Sequence, residues 1–524
     1  MSSWTMGSIA QGVAMIVAIA STASAQFGLP VRLEPTVAAD PWGQVIETGG
    51  DATGDGHPDL LVYASDAIVG GGDPAHAWYL YSPGDDWAVA HEHLYRPDDR
   101  GLFYRSNATF IGDTNRDGHD EYAFAYPANS PDGTFNWHGI VRVHDGATGD
   151  LLAEFAGVEA GTHFGIDLVS PGDVNLDGVP DLAVISNYMH DGRVALYSGA
   201  DWSLLYERDL GFEAARRLAP VGDIDDDGVT DLGVALQFNV SVGAASAPGV
   251  LVISGADGSP VFMLDRGTFG WTVAGGVDFT DDGVPDILAG GTRLDGVDIL
   301  GLFSGADGSL VRVFGSELGG DYAELHLTDV DGDGAMEFAS FDLSRPTVNV
   351  YEAPDFRMIR SFASAFRWTL GDGRTLAFAD FNRDGSTDAA ITNVRTEVVT
   401  LLSGGAMGLY IERDDTGFAV QFAETTPGAE ETLVTVGGAP SARTAFLMSA
   451  TGAECTIVPR FGQCLNLTAP IHLFASAASS PVGTTLVTVT LPSTIAPGTR
   501  WLQAAQAVGG ELVVSNVLEI EVAK

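Results

Sequence analysis

Basic side chains are scarce in this chain. Its 524 residues carry 25 Lys+Arg against 70 Asp+Glu, a formal net charge of -45, and the one lysine is the final residue, Lys524. Phosphate backbones need dense cationic patches, so nucleic acid is excluded as a partner. Long apolar runs are also missing. Beyond the short stretch Val13 to Ala20, no segment reaches the roughly 18 apolar residues of a spanning helix, and long helical periodicity is rare. Enzyme signatures are equally sparse: there is no Gly-x-Ser-x-Gly elbow, no His-Glu-x-x-His and no phosphate-cradling Gly-Lys-Ser/Thr loop. Only two cysteines occur, Cys455 and Cys464. They lie in a turn-rich segment, and an even count in an exported chain suggests one disulfide, more readily than a thiolate metal site without a nearby histidine.

Against these absences, 45% of the residues are hydrophobic and 18% charged, a composition that can bury a core. Glycine (66) and proline (24) are plentiful, and short apolar runs end in Gly, Asp or Asn, which predicts an all-β protein. The amino terminus reads as a secretory signal peptide over residues 1–25: an apolar run, then Ser21-Thr22-Ala23-Ser24-Ala25, whose small residues fit a cleavage site before Gln26. The expected location is therefore secreted or in the cell envelope, with no transmembrane segment once the signal is removed and a monomeric state.

The acidic residues are not scattered. One pattern recurs seven times: Asp, then Asp, Asn or Thr two on, Asp-Gly four on, and Asp or Glu eight on. The copies begin at Asp51, Asp113, Asp173, Asp223, Asp278, Asp329 and Asp380, with gaps of 50 to 62 residues. A period of that size belongs to propellers and solenoids, whose units cannot bury their faces alone. After each cluster comes a run apolar on both faces, such as Leu182-Ala183-Val184-Ile185 or Leu60-Leu61-Val62-Tyr63. A second strand then leads into a Gly turn, as in Val250 to Gly258 or Leu300 to Gly308, where Asp-Gly supplies the positive φ of a tight hairpin. A third run follows, and one more strand precedes each cluster, for example Phe164 to Val169. Four strands repeated seven times predict a closed seven-bladed β-propeller, because closure removes exposed sheet edges.

Oxygen ligands at alternate positions of a tight loop suit a hard cation of flexible coordination, calcium before magnesium. Two carboxylates about 4 Å apart repel by about 4 kcal/mol at an effective dielectric near 20, so several on one nine-residue loop must splay into water or share an ion. Helical calcium loops of the EF-hand or dockerin type begin with the same letters but close on a bidentate Glu at position twelve. Here that position holds Val62, Phe124, Val184, Val234, Ala289, Ser340 and Ile391, none of which ligates. The last carboxylate stands at position nine, at the start of a strand, so the loop joins strand to strand.

On these residues the chain resembles the FG-GAP repeats of integrin-alpha-type and related bacterial (VCBS-type) propellers over roughly residues 26–415. The best copy is Phe164-Gly165 followed by Gly172 to Val184. The resemblance implies calcium held by side chains at positions one, three, five and nine and a carbonyl at seven, in up to seven structural sites. Carried over, it names Asp173, Asn175, Asp177 and Asp181 with the carbonyl of Val179; Asp223, Asp225, Asp227 and Asp231; Asp113, Asn115, Asp117 and Glu121; Asp329, Asp331, Asp333 and Glu337; and Asp380, Asn382, Asp384 and Asp388. In the remaining loops Thr53 stands with Asp51, Asp55 and Asp59, and Thr280 with Asp278, Asp282 and Asp286, an uncharged hydroxyl in place of a stronger ligand. The competing reading of each loop is a metal-free Asx turn capping a strand.

After Ser403-Gly404-Gly405 the clusters stop, and Thr-, Ala- and Val-rich segments separated by Pro and Gly turns predict a small β-sandwich domain over residues 416–524. His91-Glu92-His93 is expected as a surface pair of histidines on one strand face with the Glu turned away. Trp87, Trp137, Trp202, Trp271 and Trp368 are expected to pack between blades in preference to stacking on sugars. The expectation for function is an exported, calcium-stabilised scaffold without catalytic residues that binds an extracellular protein or glycan. Its alternatives are a polysaccharide-degrading lyase or hydrolase on a propeller, since fold does not fix function, and a structural envelope component.

Overall fold

The computed structural model describes residues between 31 and 522. Residues 1–30, 34–41, 96–105, 128–136, 238–248, 364–375 and 414–429, with shorter stretches between other strands, are outside the description. The proposed signal peptide therefore lies outside the described residues, as do Trp368, Asp331, Asp333, Asp384 and Cys455. No helix among the described residues is long and apolar enough to cross a membrane.

The chain is almost entirely β. Seven four-stranded antiparallel sheets make up the ring; the first six, from Trp42 to Ala363, are each a meander in chain order, and the seventh joins three successive strands to one from the amino terminus. The third sheet is representative: Asp167–Gly172, Asp181–Asn187, Gly192–Tyr197 and Leu204–Asp209. The first strands of successive sheets pack on one another, and Leu376–Ala379 of the seventh returns to Trp42–Thr48 of the first, so the ring closes and the fold is a β-propeller. Closure is made by the amino-terminal strand Val31–Leu33, which pairs antiparallel with Val398–Leu402 as the outermost strand of the seventh sheet, Val31 opposite Leu401 and Leu33 opposite Val399. Three residues paired across nearly the whole array are invisible to local periodicity.

Apolar residues on both faces of the second strands go into seams between sheets. Glu121–Tyr126 is buried along its whole length, whereas the outermost strand of the same sheet, Leu151–Ala156, is exposed or half-buried throughout. Each core cluster draws on two neighbouring sheets: Ile185 and Leu196 meet Leu232 and Leu236 between the third and fourth, and Leu60 and Tyr79 of the first meet Leu33, Phe381 and Val399 of the seventh across the closure. Large side chains buried this way contribute roughly 1.5–3 kcal/mol each, so a sheet removed from the ring would leave two apolar faces wet. Gly165 shows how tightly the seam is packed. Its φ is +82°, and a Cβ there would approach Ala125 Cβ at 2.6 Å and Val141 Cγ2 at 2.7 Å.

Beyond the ring, Tyr410–Arg413, Glu430–Val436 and Thr485–Thr490 form one antiparallel sheet, and Ile471–Ala478, Arg443–Ser449, Gly498–Val508 and Glu511–Val522 form another in contact with it. These strands contain the Thr- and Val-rich segments read from the sequence as a β-sandwich. Cys464 lies in the strand Gln463–Leu465, but its suggested partner Cys455 is outside the described residues.

The His91-Glu92-His93 segment departs from expectation in burial. Glu92 is exposed and the two histidines share the opposite face, but that face is half-buried against the second sheet. His93 Nε2 lies 2.7 Å from the Tyr122 hydroxyl, its ring centroid is 4.0 Å from that of His144, and His91 Nε2 lies 2.9 Å from the Gly146 carbonyl. Alternation on the strand is legible in sequence; the neighbouring sheet that covers it is not. Burial holds His93 down at about 3 and His144 and His76 at about 4, against an ordinary 6.5. Neighbouring His144, His91 and Arg142 add to the effect on His93. Between those values and 6.5 the unfolded chain takes up protons that the folded chain refuses, so this stability is fully present above 6.5 and is lost as pH falls below it, by at most about 1.4 kcal/mol per pH unit per ring. Compared with His93→Gln in urea unfolding, the wild type is expected to hold a stability advantage near neutral pH that narrows at about pH 5; an advantage independent of pH would contradict the buried, neutral imidazole.

Candidate metal centre

The acidic loops join the first strand of each sheet to the second, as the position-nine carboxylate at a strand start predicts. Their shape follows from two residues of positive φ. Position six is always glycine, from Gly56 at +87° to Gly385 at +87°. Among the described residues position four is left-handed as well, even where it is Arg116, Leu176, Asp226, Asp281 or Arg383, with φ between +56° and +64°. A side chain in that region stores strain on the order of 1 kcal/mol, and the loop's internal hydrogen bonds hold it there.

Those bonds assign each carboxylate a distinct place. The position-one carboxylate accepts the position-six N–H in all seven loops, for example Gly178 N to Asp173 Oδ2 at 2.7 Å, Gly334 N to Asp329 Oδ2 at 2.9 Å and Gly385 N to Asp380 Oδ2 at 2.9 Å. Position five accepts the N–H two residues on, as Asp55, Asp117, Asp177, Asp227 and Asp282 do from His57, His119, Val179, Val229 and Val284. Position nine is buried: Asp59, Glu121, Asp181, Asp231, Asp286 and Glu337 are each 0% exposed and Asp388 is 4% exposed. Asp181 accepts Val174 N through Oδ2 and Gly199 N through Oδ1, and Asp231 and Asp286 repeat this with Ile224 and Gly255, and with Phe279 and Gly305. One carboxylate thus ties its own loop to the hairpin turn between the third and fourth strands. Asn175 Oδ1 accepts Asp177 N at 2.9 Å. Thr53 and Thr280, at position three, donate their hydroxyls to Asp59 Oδ1 and Asp286 Oδ1 at 3.2 and 3.3 Å.

Two sets of residues escaped sequence reasoning. Ser82, Ser198, Ser254 and Ser304 open the hairpin turn, and their hydroxyls donate to the position-five carboxylates Asp55, Asp177, Asp227 and Asp282 at 2.5 to 3.4 Å. The repeated Ser-Gly-Ala-Asp-Gly turn was the available signal. Neighbouring loops also touch. Asp120 N donates to the Asp51 carbonyl at 3.0 Å while Asp51 N donates to Asp120 Oδ2 at 2.8 Å, and His57 Nδ1 donates to the Phe381 carbonyl at 2.8 Å, linking the loop of the first sheet to that of the seventh.

The donor set fits a hard divalent cation. It consists of oxygens, and it gathers negative charge: one oxygen each of Asp223, Asp225 and Asp227 lie within 4.8 Å of one another, as do those of Asp117, Glu121 and Asp145. Asp51 Oδ1 is buried with no hydrogen-bond donor. Burial pushes Asp59 up to about 8, opposed by the Thr53 N–H and helped by the charges of Asp55 and Asp51, and pushes Asp231 up to about 6. A cation is the species that would relieve such crowding.

Comparison with known proteins finds integrin alpha chains. Integrin alpha-E of Homo sapiens is 31% identical over 201 residues, 33% of this chain and 17% of that protein, and integrin alpha-IIb of Homo sapiens is 30% identical over 210 residues, 34% of this chain and 19% of that protein. Over about a third of the chain the repeats are thus similar to those of integrin alpha chains. The chain spans under a quarter of the length of these integrin relatives, and no protein-family model matches it. Among solved structures it is similar to rhamnogalacturonan lyase YesW, with a TM-score of 0.46 and 13% identity over 71% of this chain and 75% of that one.

Within the described sheets of the ring the tryptophans are mostly packing residues. Trp87 is buried edge-on against Phe381, Trp202 packs on the core between the second and third sheets, and Trp137 stacks on His163. Trp271 differs, being 38% exposed with the Arg216 guanidinium 4.5 Å from its ring centre. Position nine and position five should separate by mutation. Asp181→Ala strips two buried N–H groups of their acceptor and is expected to cost about 2–4 kcal/mol in urea unfolding under chelator, whereas Asp177→Asn, at the exposed rim, should cost under about 1 kcal/mol in the same buffer; equal costs would contradict the assigned places.

Proposed function

We propose that this chain is an exported propeller whose seven acidic loops bind calcium and that it serves as a binding or adhesion scaffold for an extracellular protein or glycan. The supporting observation is the repetition of one loop geometry, with carboxylates at positions one and nine fixed alike in all seven strand-to-strand turns and position five beside them in the first five. In this reading positions one, three, five and nine hold the ion with the position-seven carbonyl. Asp331, Asp333 and Asp384 complete the sixth and seventh sites. Residues 1–25 direct export, 26–415 form the propeller and 416–524 a separate β-sandwich.

The ions are structural. A bound cation neutralises carboxylates that otherwise repel, and at ten times its dissociation constant it adds about 1.4 kcal/mol per site. Extracellular calcium modules often bind in the range of about 10⁻⁴ to 10⁻³ M, so loading would follow export into a calcium-rich medium. The scaffold reading draws on integrin-alpha likeness that extends over about a third of the chain. Removing calcium with a chelator is expected to lower the melting temperature and calcium to restore it, with magnesium less effective at equal concentration. A melt indifferent to chelator would count against metal binding. Incubation with glycans, reading retention and newly formed reducing or unsaturated ends, tests the scaffold itself, and turnover would replace it with an enzyme.

A further inference from the structure

The first strands of several sheets carry a β-bulge at the end remote from the acidic loop. In the fourth sheet Ala215 pairs with Leu236 and Arg217 with Ala235, so Arg216 is one residue extra. In the fifth Phe269 pairs with Gly291 and Thr272 with Gly290, so Gly270 and Trp271 are extra. Counted from the first Asp of the loop, the shift falls between the partners at positions thirteen and fourteen, and the first and sixth sheets break register at the same place. The bulge is therefore part of the sheet pattern, whereas the residue just before the realigned pair is not, being Gln44, Arg216, Trp271 or Ala323. Bulges re-aim side chains and are over-represented beside functional sites.

In the fourth and fifth sheets the two bulges meet. Gly270 has a φ of +142°, and a Cβ there would lie 2.3 Å from the Leu236 carbonyl oxygen and 2.7 Å from Gly249 N, so the fifth sheet's strand is pressed onto the fourth at that point. Phe269 and Gly270 before the tryptophan and Thr272 and Val273 after it are buried, yet Trp271 is 38% exposed. No other aromatic side chain among the described residues is exposed to that degree. Arg216 is 8% exposed, and its guanidinium lies 4.5 Å from the centre of the Trp271 ring. That contact fixes the indole and covers one of its faces, leaving the opposite face and the edges to solvent. An area of one indole is far below the roughly 800 Å² that each partner gives a stable protein interface. It is the size of one pyranose, whose polarised C–H groups suit the negative face of an aromatic ring. A cationic side chain is disfavoured on the open face, because a guanidinium already occupies the same π system.

We infer that Trp271, held in place by Arg216, is a stacking platform for a pyranose unit of an extracellular glycan. The inference rests on the scaffold reading of the ring and narrows its ligand to a sugar. Neutral sugars and uronic acids share the C–H face, so the full chain is to be titrated calorimetrically with cello-, xylo- and galacturono-oligosaccharides in turn. The wild type is expected to bind at least one of them, and which one binds identifies the neutral or the acidic source. Trp271→Ala should bind it about tenfold more weakly, and Trp271→Phe should recover part of the loss, a rescue that a merely structural role would not produce. If the wild type binds none of the three, the inference is overturned while a protein-binding scaffold stands. If it binds one and Trp271→Ala binds that sugar equally well, glycan binding stands and the inference alone is overturned. Newly formed reducing or unsaturated ends would end the scaffold reading, and the inference then survives only if Trp271→Ala raises KM about tenfold with kcat retained. Should Trp271→Ala fail to fold, the wild type decides: bound oligosaccharide is expected to slow oxidation of Trp271 by N-bromosuccinimide, read by peptide mass, and oxidation at an unchanged rate overturns the inference.

Discussion

A buried carboxylate at the start of the second strand is the contact on which each sheet depends. It sits where loop, strand and hairpin turn meet, and it accepts N–H groups from the loop and, in the third to fifth sheets, from the turn. A carboxylate so placed is expensive to desolvate, which is why Asp59 and Asp231 are held far above the ordinary carboxylate range. Its backbone donors offset part of that cost, and a shared cation would offset more. The side chain that makes the loop suitable for an ion is therefore the one that gives the sheet its corner.

Around that corner the remaining architecture is a packing problem. A single four-stranded sheet with both faces apolar is unstable in water, and each seam is filled equally by two neighbours. The ring removes the two bare faces that a linear stack would leave, and the amino-terminal strand on the seventh sheet ties the ends without a covalent bond. Contacts between loops, such as the reciprocal pair of Asp51 and Asp120, run round one rim, so the acidic loops are neighbours in the ring as well as copies in the sequence.

Legibility in the sequence followed the range of the interaction. The loops were readable because all their determinants lie within nine residues: carboxylates two or four apart, a glycine where φ must be positive, and an apolar run immediately after. The absence of a ligand at position twelve separated this strand-to-strand loop from a helical one. The paired histidines of His91-Glu92-His93 were readable as sharing a face, because strand alternation is local. Their burial was not, since the covering residues Tyr122 and His144 belong to the next sheet. The serines that donate to position five were seen only as turn residues, because their partners lie 21 to 27 residues earlier, across two strands.

What the sequence determined by itself was the repeat, its period, the strand content and the chemistry of each acidic loop, since these are matters of spacing and residue type along a short stretch of chain. Tertiary structure alone decided which strand closes the ring, which faces of the outer strands are covered, and that a turn residue from a later hairpin stands beside the acidic loop in the first five sheets. Those outcomes depend on register between strands and on contact between sheets. Spacing along one strand does not specify either, because the same alternation is compatible with more than one neighbour until the ring is assembled.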